Sequence, residues 1–317
     1  MGVTIYRSTD PSAPTLSGTA GDLVTVLDAI LVNGYGSKPA AGWTKTFSGT
    51  NKAAYRLASG AQTYLQIWDA GPGAGGGKEA RIRGYETMTD VDNGSALFPT
   101  YALLSTGIIA RKSTTADATT RTWFCAADYR TVHFMALTGD IANVYHAFSF
   151  GEFASYVSGD QYNVMIIGRA TENNGTTSVE NIGSVAVSVV TALTGHYIAR
   201  NYTGTGGAIS VGKHQDLVKQ RSDHIGVSGM AYAHPADGRL WVSPVWIHET
   251  AQPLVRGYMR GVWAPLHAAT NFNDGDTFNG GAGTPDLTGK VFEIKKTISN
   301  SGGTTGCLAL ESSNTWS

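Results

Sequence analysis

Charge is scarce in this chain. Asp, Glu, Lys and Arg make up 15% of its 317 residues, against about 25% in an ordinary globular protein. These side chains favour open surface, so their shortage predicts a surface covered by neighbouring subunits, or one built from Thr, Ser and Gly on β-sheets. The net charge is −1, and no basic run exceeds Lys295-Lys296. Nucleic-acid binders carry a basic excess or stripe, so no nucleic-acid partner is expected. No stretch approaches the roughly 18 apolar residues of a spanning helix, so membrane insertion is not expected either. The opening Met1-Gly2-Val3-Thr4-Ile5-Tyr6 lacks a basic region followed by a long apolar one, and no secretory signal is expected. There are two cysteines, Cys125 and Cys307, each among apolar neighbours. They read as buried thiols acting as small hydrophobes, not as the disulfide of an oxidising compartment.

Catalytic and metal signatures are scarce too. There is no G-x-S-x-G nucleophile motif. Gly71, Gly73 and Gly76 satisfy G-x-G-x-x-G, but that motif needs a helix to follow, so that its N-terminus faces a pyrophosphate. The residues after it are strand-like, so the run 71–77 reads as a hairpin loop. Asp90 and Asp92, and Asp274 and Asp276, sit in oxygen-rich turns without the spacing or distal Glu of an EF-hand loop; Asx turns explain them more simply. His214, His224 and His234 recur at ten-residue intervals, which suits no zinc site. His133 and His146 read as sheet histidines with one wet edge. A glycosidase needs two carboxylates facing one cleft, and spacing alone cannot pair Glu152, Asp160, Glu172, Glu180 and Asp216. No catalytic residue, cofactor or metal is expected, and the chain does not read as an enzyme.

Glycine and the β-formers are abundant. There are 40 glycines, about twice the usual share. One helix is predicted over 22–32, where Leu23, Val26, Leu27, Ile30 and Leu31 fall on one face, with Thr19 as N-cap and Asn33-Gly34 as the stop. From Trp43 onward the period changes to two. Strands are predicted around 43–47, 54–57, 64–68, 80–85, 122–126, 131–137, 144–150, 162–167, 184–190, 197–201, 230–233, 240–245, 290–295 and 307–311. The fold class is therefore mainly β: antiparallel, sandwich-like sheets, one buried helix near the N-terminus and a small C-terminal β module. The domain reading is helix plus β-meander over 1–110, a sandwich region over 111–245, a linker or arm over 246–272 and the small module over 273–317. Trp43, Trp68 and Trp123 lie in strands and are expected to be buried. Tyr258 and Trp263 in the arm, and Trp316 beside the last residue, are the candidate interface residues, since exposed aromatics suit protein contacts and sugar stacking.

Four sets of segments carry a resemblance. They are Gly42-Trp43-Thr44-Lys45 with 49–56; the run Ala80-Arg81-Ile82-Arg83-Gly84-Tyr85 on to Gly94; Phe150-Gly151-Glu152-Phe153 with Ser158-Gly159-Asp160-Gln161-Tyr162-Asn163; and 272–278 with 287–292 and 311–316. In this order they resemble tailed-bacteriophage virion structural proteins of the tail or baseplate type. The resemblance implies an oligomeric tail-tip or baseplate protein, made in the host cytoplasm and ending in the virion. Its partners would be copies of itself, other virion proteins and possible host surface receptors. A receptor- or glycan-binding tail protein and a capsid decoration protein are the alternatives. The resemblance transfers no catalytic residue.

Overall fold

A computed structural model describes residues 2–71, 77–139, 145–169, 194–206, 211–214, 241–249, 254–265, 272–281, 286–298 and 305–316. The expected strands at 184–190 and 230–233 lie outside these residues, as do most of the glycine run, His224, His234, Glu172, Glu180 and Asp216. In chain order the elements are β1 (Thr4–Arg7), α1 (Asp22–Leu27) and its π-helical continuation (Asp28–Asn33), β2 (Thr44–Gly49), β3 (Lys52–Arg56), β4 (Tyr64–Asp69), β5 (Glu79–Asp90) and β6 (Asn93–Phe98). Then come β7 (Ile108–Arg111), β8 (Trp123–Ala127), β9 (Thr131–Leu137), β10 (Tyr145–Glu152), β11 (Ala154–Ser155), β12 (Val164–Arg169) and β13 (Thr194–Ile198). The last are β14 (Val211–His214), β15 (Val242–Glu249), β16 (Leu254–Pro265), β17 (Thr277–Asn279), β18 (Val291–Ile298) and β19 (Thr305–Glu311).

The protein is mainly β, with antiparallel sheets and a short helix near the N-terminus, as the periodicity predicts. Among the described residues the strands form two sheets. The larger runs β1-β8-β9-β10-β12-β7-β5-β4-β3-β2, with β13 beside β12 and β6 beside β5. The smaller runs β14-β15-β16-β19-β18-β17, with β11 beside β16. Successive strand side chains point to opposite faces, and here both faces of the middle strands are covered. Trp123, Cys125, Val132, Phe134, Phe148, Phe150 and Ile166 pack with the helix residues Leu23, Leu27 and Ile30. Phe124, Ala126, Met135, Met165 and Ile167 pack instead against Val245, Ile247, Met259, Val262 and Leu310 of the smaller sheet. Strands β8, β9, β10 and β12 are therefore buried on both sides, which explains their near-continuous apolar runs.

The helix departs from its predicted form at both ends. Its N-cap is Gly21 in the left-handed region, not Thr19. The cap comes from another strand: Asp69 of β4 accepts from the Gly21 and Leu23 amides at 2.9 and 2.8 Å. After Leu27 the helix widens to a π turn, closed by the Gly34 amide on the Ala29 carbonyl. The amides of Ala41, Gly42 and Trp43 then donate to the Ile30 and Leu31 carbonyls. This returning chain satisfies the last turn, so Asn33-Gly34 still ends the helix where the sequence places the stop.

The domain boundaries do not follow the sheets. The division at 110/111 falls inside β7, and the larger sheet draws strands from both sides of it. The segment read as an arm contains β16, a twelve-residue strand flanked by β15 and β19. It looks pliable because it holds Arg256, Gly257, Arg260 and Gly261. Both arginines are instead buried and paired, Arg256 with Asp160 and Glu249 and Arg260 with Asp128. Gly257 admits the close passage of the Ala154 carbonyl, and Gly261 takes a positive φ against the Trp316 ring. The strands of 273–317 belong to the same sheet as β16 and form no separate layer.

Candidate functional site: an aromatic face and a polar cleft

The three aromatic candidates separate in the fold. Trp263 is buried on the outer side of the smaller sheet, between Tyr258 and Phe292 at 6.2 and 6.1 Å. Trp316 is buried too: its Nε1 donates to the Glu311 carbonyl at 2.8 Å and its ring lies 5.1 Å from that of His133. Neither is an exposed contact of the chain, because each fills the protein's own packing. Tyr258 is half-buried and opens onto a patch. Its ring lies 5.9 Å from Tyr156 and 6.3 Å from Trp246, and Tyr156 lies 6.1 Å from Trp246. Tyr156 is 58% exposed, and the neighbouring β-strand residue Val255 is 45% exposed. Tyr156 and Trp246 carry no sequence signal of their own. They meet because β11 and β15 flank β16 on opposite edges.

A cleft of about 810 Å³ opens at one end of the larger sheet. It gathers the β3–β4 turn (Gly60, Ala61, Thr63), Glu86 and Thr87 of β5, Arg130 of the β8–β9 turn, Glu152 at the end of β10, residues 159–163 and Ala199. Each carboxylate has a guanidinium. Glu152 pairs with Arg130 at 3.3 Å and also accepts from the Ala61 amide at 2.8 Å. Glu86 takes two bonds from Arg200, at 2.6 and 2.7 Å. Asp160 takes two from Arg256, at 2.9 and 2.7 Å, with further bonds from the Ser155 hydroxyl and the Tyr162 amide. Burial works to raise the pKa of Asp160, but these donors outweigh it and hold the group below its ordinary value. A carboxylate held ionised in this way is a poor general acid. Gly60 permits the crowding: it has a positive φ, and an added Cβ would stand 1.7 Å from a Glu152 oxygen.

Of the carboxylates that spacing could not pair, Glu152 and Asp160 thus line one cleft. Its remaining polar lining includes Thr87, Gln161, Tyr162 and Asn163, and Arg200 lies over the Tyr162 ring at 5.0 Å. Much of this lining falls in the segments 80–94, 150–153 and 158–163.

The other signatures resolve as internal chemistry. Asp92 bonds Gln66 and Lys52; Asp274 accepts from Tyr145 and from the Lys296 amide. Among the described residues no group of three or more His, Cys, Asp or Glu could hold a metal ion. After the glycine run the chain enters β5 at Glu79, not a helix. His133 has no wet edge. It lies between the sheets, with Nδ1 2.7 Å from Ser149 Oγ and Nε2 2.8 Å from the Arg260 carbonyl. Burial pushes its pKa down to about 4, against the smaller upward pull of the Arg260 carbonyl and Asp128. Both cysteines are buried and free, and burial raises both thiol pKa values. Trp43 and Trp123 are buried as expected, whereas Trp68 is half-buried beneath the Lys52 ammonium at 3.7 Å. No family model matches the chain, and no curated protein matches its sequence.

Proposed function

We propose that the chain is a structural protein of a tailed-bacteriophage virion, an oligomeric component of the tail tip or baseplate, and not an enzyme. The observation that carries this reading is the Tyr156-Trp246-Tyr258 face. A cluster of large aromatic rings on a sheet, with Tyr156 exposed and Trp246 and Tyr258 half-buried, has the composition of a protein interface. The low charge and the resemblance along the chain support the same reading. The partners are copies of the chain and other virion proteins. Symmetric closure around an axis is the usual result for such subunits, and each stable interface buries roughly 1,000 Å² or more. Light scattering on the purified protein should give a closed oligomer, and gold-labelled antibody should mark the tails of intact particles. A strict monomer absent from purified particles overturns the proposal. Label on heads supports the capsid decoration alternative instead.

A second reading, host recognition, is favoured by the polar cleft. In that reading the purified protein at saturation blocks adsorption of the virus.

A further inference from the structure

We infer that the cleft between the β3–β4 turn, β5 and residues 159–163 binds a short neutral oligosaccharide. The inference rests on the recognition reading for its biological sense, but its physical case is independent of where the protein sits in a particle. The cleft lies within the roughly 300–1,000 Å³ typical of small-molecule sites, at about 810 Å³. Its composition selects the ligand class. Hydroxyl, amide and charged side chains give the wall its polar surface, and Ala61, Ala199 and the carbon atoms of the longer side chains give it an equal share of apolar surface. Such a wall suits a ligand covered in hydroxyls better than an apolar one.

Charge narrows the class further. Glu86, Glu152 and Asp160 would repel an anion, and Arg200, Arg130 and Arg256, which hold them, would repel a cation. The paired charges leave the cleft with strong local dipoles and little net field, the condition under which a neutral hydroxylated ligand exchanges its water bonds at least cost. Hydrogen-bonding capacity remains on the wall. Gln161 is exposed and presents an amide that can donate and accept. The Thr63 hydroxyl and the Arg130 Nε have no hydrogen-bond partner. Both atoms are shielded from solvent, so engaging them takes a side-chain rotation. Tyr162 supplies a ring whose contact with Arg200 fixes its orientation. Metal binding is a poor alternative use of these carboxylates, because their oxygens already accept from arginines and backbone amides.

The test uses the full chain against a printed array of neutral and acidic oligosaccharides, with hits titrated by calorimetry. Three variants accompany it. Thr87→Trp places a large ring at the cleft mouth from an exposed strand position, where folding tolerates it. Gln161→Ala removes an exposed amide, and Thr63→Val removes the orphaned hydroxyl at constant shape. The expected result is binding of a neutral oligosaccharide, abolished by Thr87→Trp and weakened about threefold to tenfold by Gln161→Ala, the loss of a hydrogen bond or two. A weakening by Thr63→Val adds support, since it reports the rotation. Circular dichroism and thermal melting establish that each variant is folded. Binding to acidic oligosaccharides alone overturns the inference, as does binding to none. Affinity unchanged in folded Thr87→Trp overturns the cleft as its location. None of these outcomes alters the oligomeric state or the label on tails, so failure here is distinguishable from failure of the structural reading.

Discussion

A histidine between two sheets shows how strongly burial governs single side chains in this protein. The fold holds His133 neutral down to about pH 4, whereas an exposed histidine protonates near 6.5. The unfolded chain therefore binds a proton that the fold refuses across this window. The contribution of the neutral ring is complete above about pH 6.5 and is lost as the pH falls toward about 4, by roughly 3 kcal/mol. His133→Gln should be less stable than the natural protein at about pH 7, with the gap narrowing toward about pH 4.5; urea denaturation at the two pH values checks this. A buried ion pair sets a different test. Lys112 and Asp69 are both dry, 2.7 Å apart, and Asp69 also caps the helix. Burial raises the Asp69 pKa and lowers that of Lys112, each opposed by the other's charge. Removing one partner strands the other, so Asp69→Ala should cost about 3–5 kcal/mol in thermal or denaturant unfolding. Neither residue was legible in the sequence. Spacing gives no sign that residues 43 positions apart will pair in a dry interior, nor that an aspartate on a strand will cap a helix begun far earlier in the chain.

At the scale of elements, the strands that alternate or run apolar were legible, and those whose solvation comes from charge pairs were not. Alternation located β2, whose burial changes from residue to residue, and runs of apolar and β-branched residues located β3 to β5 and β8 to β10, which are buried along most of their length. β16 escaped because its two arginines and two glycines carry the signature of a wet, flexible segment. Once Asp160, Glu249 and Asp128 are brought alongside, those arginines become interior residues. The short strands β1, β7 and β11 have too few residues to show a period. The helix was legible in position but not in pitch, since its π turn depends on carbonyls met by residues 41–43. The C-terminal segment was misjudged in its role. Trp316 reads as a surface anchor because it stands next to the end, yet it fills the space between Gly261, His133 and Arg260. Trp316→Ala should lower stability by about 3–5 kcal/mol, the cost of emptying a large aromatic site. Trp316→Phe should recover a large part of that, and comparative thermal melting of the two variants measures both.

For the whole molecule, the proposed assembly has the aromatic face as its candidate contact surface. The aromatic face gives a direct test in Tyr156→Ser with Val255→Lys: the exposed Val255 change should move stability by less than about 0.5 kcal/mol, and loss of the two Tyr156 ring contacts should cost about 1 kcal/mol. The oligomer should nevertheless fall toward monomer in sedimentation velocity. Retention of the full assembly would move the interface elsewhere. The residues that line the cleft lie on other elements, and Arg256 and Ser155, which hold Asp160 there, are unchanged, so the same variant should keep its binding. Of this functional geometry the sequence showed the ingredients, Glu152, Asp160 and Tyr258, but not their grouping, because the cleft is assembled from turns and strand ends scattered from Gly60 to Ala199.

The doubly covered strands β8, β9, β10 and β12 carry a consequence for how such a protein can change over time. A substitution there is felt by two layers at once, so each position must satisfy two sets of neighbours. Variation is then channelled to the rims: the turns around the cleft, the edge strands and the aromatic face. The same inner slab could carry many different surfaces, and descendants could acquire new contacts without re-solving the fold.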